Sequence, residues 1–258
     1  MNHMHQAIVC QPTPNFSGGL TTAILGSPNY ERALIQHQAY CEALERCALA
    51  LTYLEPDIRY PDSTFIEDTA VVVGESVVLT RPGAASRTGE VVTVAETLKQ
   101  YFSRVESIQA PGFLDGGDVC EAGNHYFIGI SERTNEVGAL QLGRYLTTYG
   151  KTHSLIDIRG ICGLLHLKSG VAFLGDNRLV VIESLAGLTE FSDYQLVHVS
   201  DGEEYAANCV RINDHVLIAE GYSKFAETLA SLGYQAIALN MSEFQKMDGG
   251  LSCLSLRF

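Results

Sequence analysis

The chain has 258 residues, 46% hydrophobic and 18% charged, a balance that can fill the core of one large domain. Its formal net charge of −13 argues against nucleic acid as a partner, because a phosphate-binding face needs clustered Lys and Arg, and it favours a cationic ligand. Apolar runs such as Ala70 to Val73 fall far short of the roughly 20 residues that span a bilayer, and Met1 to Gln6 holds no apolar leader core, so a cytoplasmic protein with no membrane partner is expected.

Gln6 to Cys10 reads as a first strand. Ser27-Pro28 offers an N-cap and first-turn pair for a helix reaching about Leu51, with Ala33, Leu34, Tyr40, Cys41, Leu44 and Ala48 inward. Four β-hairpins follow, each an apolar pair of runs around a Gly, Asn or Asp turn: Ala70 to Thr80, Asp118 to Gly129, Val171 to Ile182 and Cys209 to Ala219. A helix is expected from Ser86 to Phe102, burying Val91, Val94, Ala95, Leu98 and Phe102. A second runs from Asn135 to Tyr149, burying Val137, Leu140 and Leu146, with Gly150 as C-cap. Ser223 caps a third that buries Phe225, Leu229 and Leu232 and stops at Gly233, while the unit before it has room only for a short helix near Leu188 to Phe191. Single strands such as Tyr234 to Leu239 follow the helices.

The unit is therefore hairpin, helix, strand, repeated at steps of roughly 40–50 residues. Ser252 to Phe258 supplies the strand that the N-terminal unit lacks, by pairing with Gln6 to Cys10. Five units then close a ring, an α/β-propeller in which residues 1–258 form one domain with no linker.

Charged residues recur at one station of these units. Asp62, Glu67 and Asp68 precede the first hairpin and Arg81 and Arg87 follow it. Asp115-Gly-Gly-Asp118 precedes the second and Arg133 follows it; His166-Leu-Lys168 precedes the third, and Asp248-Gly-Gly-Leu-Ser-Cys253 opens the last strand. Taken singly, each has a structural reading: turn and cap acids, an Asx turn, a core histidine, a core cysteine. The seven cysteines are odd in number and include no CxxC, so neither a disulfide framework nor a zinc site is indicated.

Together these motifs resemble the dimethylarginine dimethylaminohydrolases, guanidine-modifying enzymes of the five-bladed α/β-propeller (pentein) fold. The match runs in order through Phe65-Ile-Glu67-Asp68, Thr80-Arg-Pro-Gly-Ala-Ala-Ser-Arg87, Asp115-Gly-Gly-Asp118, Arg133-Thr-Asn135, His166-Leu-Lys168, Ala206-Ala-Asn208-Cys209 and Asp248 to Phe258. The resemblance implies that Cys253 is the nucleophile, His166 the general acid and base, and Asp115 the acid beside that histidine, where some members carry Glu. It implies that Asp68, with Glu67 beside it, grips the guanidinium; that Asp62 and the Leu20 carbonyl hold the substrate ammonium; and that Arg87 and Arg133 clamp its carboxylate. The substrate would be a free cationic amino acid, a methylated arginine hydrolysed through a thiouronium to citrulline, with no metal and no cofactor. The family makes a homodimer an option. The loop Phe16 to Thr22, with Gly18 and Gly19 as hinges, reads as a lid. Three other readings exist: an arginine or agmatine deiminase, an amidinotransferase, and a binding module of the ribosome anti-association type, which would have no use for the set Asp68, Asp115, His166 and Cys253.

Overall fold

The computed structural model describes residues 3–258; Met1 and Asn2, which open the stretch read for a leader, lie outside them. The strands in chain order begin with β1 (Gln6–Cys10), β2 (Ala50–Leu54), β3 (Ala70–Val73), β4 (Ser76–Leu79) and β5 (Arg104–Ser107). There follow β6 (Val119–Ala122), β7 (His125–Ile130), β8 (Thr152–Asp157), β9 (Val171–Gly175) and β10 (Arg178–Val181). The last are β11 (Gln195–His198), β12 (Val210–Ile212), β13 (His215–Ala219), β14 (Gln235–Leu239) and β15 (Ser255–Arg257). They form five three-stranded sheets. In each of four, a hairpin pairs two strands antiparallel and a crossover returns a third parallel to the middle one, as β4 lies between β3 and β5. The fifth is built from both ends of the sequence: β1 runs antiparallel to β15 and parallel to β2. The pairing expected between Gln6–Cys10 and the final segment is therefore present, with Ile8 opposite Leu256.

Local chemistry accounts for the hairpins. Their turns place Gly74, Gly123, Asp176, Asn177 and Asn213 at positive φ, which Gly tolerates freely and Asn and Asp better than other residues. Neighbouring sheets meet through their innermost strands, β15 against β3, β6 against β9 and β9 against β12. The core fills the space outside these strands and under the helices, with Tyr40, Tyr126, Phe127, Phe191 and Phe225 fully buried.

The helices depart from the sequence reading in their ends and in one face. Helix α1 (Tyr30–Arg46) is capped by Asn29, whose side chain accepts from the Arg32 amide, and not by Ser27; it stops before Ala48, whose positive φ turns the chain into β2. Helix α2 (Glu90–Leu98) starts later than Ser86, because Ala85–Arg87 forms a separate 3-10 turn that points Arg87 inward. Helix α3 (Glu136–Thr148) is capped by Asn135, as its N-terminal position predicts. Its buried face is Gly138, Ala139, Leu142, Gly143 and Leu146, and Val137 and Leu140 are exposed. The glycines decide this: a Cβ on Gly138 would lie 2.0 Å from the Phe113 carbonyl, and one on Gly143 2.4 Å from the His153 ring. The helix seats its smallest residues against the chain and turns two apolar ones outward. In the irregular unit, α4 (Glu183–Ala186) and a 3-10 turn at Thr189–Phe191 replace a long helix. Glu203, and not Ser223, accepts from the free amides of Lys224 and Phe225 at the start of α5 (Ser223–Ser231). A short α6 (Ser242–Gln245) precedes the last turn. Among the described residues no helix is long and apolar enough to cross a membrane.

The assignment of faces on α3 has a direct check. Leu142→Ala should lower unfolding stability by about 2–5 kcal/mol, as large-to-small changes in cores do. Leu140→Ala should stay within about 0.5 kcal/mol. Urea denaturation of both variants measures the difference; equal losses would mean that the helix faces the other way.

Candidate active site

A 3-10 turn stands at most two residues before the innermost strand of every sheet: Ile66–Thr69, Gly116–Asp118, Leu167–Ser169, Glu204–Ala207 and Ser252–Leu254. A turn there tilts the last residues before the strand out of the sheet plane. Because the five inner strands surround one axis, their five turns gather at one end of the ring. The first carries Glu67 and Asp68, the second is flanked by Asp115 and ends in Asp118, the third follows His166, the fourth leads to Asn208, and the fifth contains Cys253.

At this end of the ring lies an open cavity with about 360 Å³ of empty space, counted out to open solvent. Of the residues singled out in the sequence, Leu20, Asp62, Asp68, Arg87, Arg133, His166 and Cys253 line it. Asp115 does not reach the wall but lies directly behind it, fully buried, with one oxygen 3.1 Å from His166 Nε2 and the other accepting from the Gly83 amide. Glu67 faces away: its carboxylate meets Lys168, Arg257 and the Ser252 hydroxyl. Five lining residues were not assigned a site role in the sequence: Phe65, Leu165, Met247, Asp248 and Gly249. The aromatic and aliphatic members carry no charge to mark them, and only their adjacence to Glu67, His166 and Cys253 could have done so.

Arg87 is not a free cation. It is buried, with Nη1 2.6 Å from Asp68 and the remaining nitrogens on Glu90 and the carbonyls of Phe65 and Asp62. Arg133 is half-buried and, among the described residues, has no ion-pair partner. Asp62 accepts the Leu20 amide through both oxygens, at 3.0 and 3.2 Å. That contact explains Gly19, where a Cβ would lie 2.3 Å from the Asp62 carboxylate; the residue is small for close approach. Thr21 and Thr22 are tied to Asp248, so the Leu20 loop crosses the cavity mouth under several hydrogen bonds.

The ionisation pattern follows from this packing. Burial would raise Asp68, but the charges of His166 and Arg87, with hydrogen bonds from Arg87 and the Gly117 amide, hold it below the usual carboxylate range. Burial opposes a charge on His166, yet Asp68, Asp118 and Asp115 outweigh it and lift the imidazole to about 9. Burial, then the carboxylates of Glu67 and Asp68, pushes the Cys253 thiol up to about 12. At neutral pH the cavity therefore pairs a neutral thiol with an imidazolium and an ionised Asp68. Asp68, Asp115 and His166 bring one ligand atom each within 4.8 Å of one another, but both Asp68 oxygens and both Asp115 oxygens already take hydrogen bonds from the protein.

No family model matches the chain. It is 41% identical over 248 residues to the N(G),N(G)-dimethylarginine dimethylaminohydrolase of Pseudomonas aeruginosa, covering 96% of each. It is 33% identical to the enzyme of the same name from Streptomyces coelicolor, over 98% of this chain and 96% of that one. The Pseudomonas aeruginosa enzyme in a cysteine-to-serine form complexed with citrulline superposes with a TM-score of 0.96 at 39% identity, over 99% of this chain and all of the other. The chain belongs to the dimethylarginine dimethylaminohydrolase family. The five-bladed pentein fold that the resemblance implied is its fold, with five three-stranded sheets.

For this member of the family, the raised His166 has a consequence for stability. Its pKa rises from an ordinary 6.5 to about 9 on folding, so the imidazolium stabilises the folded chain fully below about pH 6.5. That contribution is lost as pH climbs through about 9. Asp115→Asn should lower the His166 midpoint seen by NMR and flatten the decline in stability across this window. An imidazole titrating near its ordinary value in the parent would contradict the geometry.

Proposed function

We propose that the chain hydrolyses Nω-methylated arginines, asymmetric dimethylarginine and monomethylarginine, to citrulline and a methylamine, with residues 1–258 acting as one catalytic domain. The observation that carries this reading is the convergence of Cys253, His166 and Asp68 on one cavity, in a fold that superposes on a relative complexed with citrulline.

Asp68, kept ionised by Arg87, grips the substrate guanidinium and fixes it over Cys253. The arriving cation offsets the field of Glu67 and Asp68 on the thiol, so Cys253 releases its proton to solvent as substrate binds. The thiolate attacks the guanidinium carbon and gives a neutral tetrahedral adduct. His166, already protonated, donates its proton to the methylated nitrogen; the C–N bond breaks, the amine leaves and a thiouronium remains. The neutral imidazole then takes a proton from water as its oxygen bonds to the same carbon. Collapse to the ureido group breaks the C–S bond and passes the remaining hydroxyl proton to the departing sulfur, which restores the thiol and releases citrulline. Asp115 orients the ring through both steps.

At the other end of the substrate, Arg133 pairs with the carboxylate, and Asp62 with the Leu20 carbonyl takes the ammonium. Arg87, enclosed by Asp68 and Glu90, adds its positive field to this end while it fixes Asp68.

Citrulline release from asymmetric dimethylarginine, monomethylarginine, arginine and agmatine, run beside Cys253→Ser, tests the proposal. Turnover should be confined to the methylated arginines and should fall by at least about a thousandfold in the variant. Arg133→Met should raise KM about tenfold or more through loss of a charge-assisted contact. Turnover of arginine or agmatine instead would make the chain a deiminase with the same chemistry, and no turnover of any would remove the reaction assigned here.

A further inference from the structure

Glu67 was expected beside Asp68 at the guanidinium, and its actual surroundings point elsewhere. It is 3% exposed and stands behind the nucleophile instead of in front of it. One carboxylate oxygen accepts from the Ser252 hydroxyl at 2.7 Å, one residue before Cys253. The other is 2.6 Å from Lys168 Nζ and 3.2 Å from Arg257 Nη2. Lys168 belongs to the turn that follows His166, and Arg257 to β15, the strand that Cys253 leads into. Arg257 also donates to the carbonyls of Ser252 and Ser255. Asn208 completes the arrangement, since its side chain pairs with the amide and hydroxyl of Ser252 and with the Lys168 carbonyl.

One carboxylate thus sits between two cations, and the three join the turns bearing Asp68, His166 and Cys253. We propose that Lys168 is a positioning residue of the catalytic site, which neutralises Glu67 behind Ser252 and so eases loss of the Cys253 proton while locking the histidine turn to the cysteine turn. The inference rests on Cys253 as the nucleophile. A bare Glu67 carboxylate would repel a forming thiolate, and Lys168, 2.6 Å from that carboxylate, is a cation that offsets it. The other groups facing the sulfur are Asp68 and His166 across the cavity and Tyr205 from the fourth turn; Tyr40 and Cys120 face Glu67 from behind. Asp68 adds to the repulsion and Arg257 to the relief, so Lys168 and Glu67 act on the sulfur with opposite sign.

That opposition gives the test. Cys162 is exposed and would react alongside Cys253, so all variants carry Cys162→Ser; the other five cysteines are buried. Iodoacetamide labelling of Cys253, followed by mass spectrometry between about pH 7 and 10, reports the thiolate fraction without any substrate. Lys168→Met should slow labelling about tenfold at each pH and displace the pH profile of kcat/KM for methylarginine to the alkaline side by a matching amount. Lys168→Arg should restore both, and Glu67→Gln should label faster than the parent. A uniform fall in activity with unchanged labelling would reduce Lys168 to mechanical support and overturn the proposal, as would slower labelling in Glu67→Gln. If Lys168→Met fails to fold, the Glu67→Gln rate alone decides the sign. Labelling is independent of turnover, so a parent that follows this pattern but releases no citrulline would refute the substrate assignment and leave the role of Lys168 standing.

Discussion

Asp68 and Arg87 form an ion pair 2.6 Å apart, with both side chains only 5% exposed. Removing one partner of such a pair strands a buried charge, at a cost of about 3–5 kcal/mol. Much of the site is arranged around it. The second oxygen of Asp68 accepts from the Gly117 amide at 2.8 Å, which ties the first turn to the second. Gly117 has to be glycine, because a Cβ there would lie 2.8 Å from Asp68 and 2.9 Å from the His166 ring. Arg87 in turn closes on Glu90 at the start of α2, so the helix that shields one side of the ring is bolted to the same anion. An ionised carboxylate whose two oxygens are each held by the protein is what a site needs to orient a diffuse cation such as guanidinium.

The charges around the cavity also divide the chemistry between protein and ligand. The imidazole is protonated and ready to donate, whereas the thiol is held neutral by burial and by Glu67 and Asp68. The acid is therefore prepared in advance and the nucleophile is prepared by the arrival of a positive group. Neutral molecules that enter the cavity would meet the sulfur mostly as thiol and react with it only slowly, which lends selectivity before any pocket wall is touched.

The sequence made the repeat legible because its hairpins follow a strong local rule: short β-branched runs around Gly, Asn and Asp turns. The resemblance to the family, more than their shared station in the repeat, singled out Asp68, His166 and Cys253, and the fold brings the three to one cavity. The face of α3 was not legible from apolar residues, since Gly138 and Gly143 determine it through contacts with Phe113 and His153, which lie outside the helix. The place of Glu67 escaped for a similar reason. Adjacent residues in a 3-10 turn diverge in direction, so Asp68 reaches the cavity while Glu67 turns to Lys168 and Arg257. Arg87, too, carries no local sign that it would be buried; its partners Asp68 and Glu90 become visible only once the turn at Ala85–Arg87 is formed. Asn208 lay within a matched motif, but its role in fixing Ser252 depends on the fourth and fifth turns meeting.

The sheet assembled from both ends of the sequence gives the chain a particular order of events. Strand β1 meets β15 across nearly the whole length of the sequence, and the turn holding Cys253 leads directly into β15. The hairpins of the other four sheets are local and form early, whereas a contact of such sequence separation must wait for loop closure. The nucleophile is thus set by the last join in the ring. A refolding chain should recover the surroundings of Tyr126 and Tyr145, which lie within one local unit, before it recovers a reactive Cys253, and a native chain that frays at this seam loses its chemistry while most of its sheets remain intact.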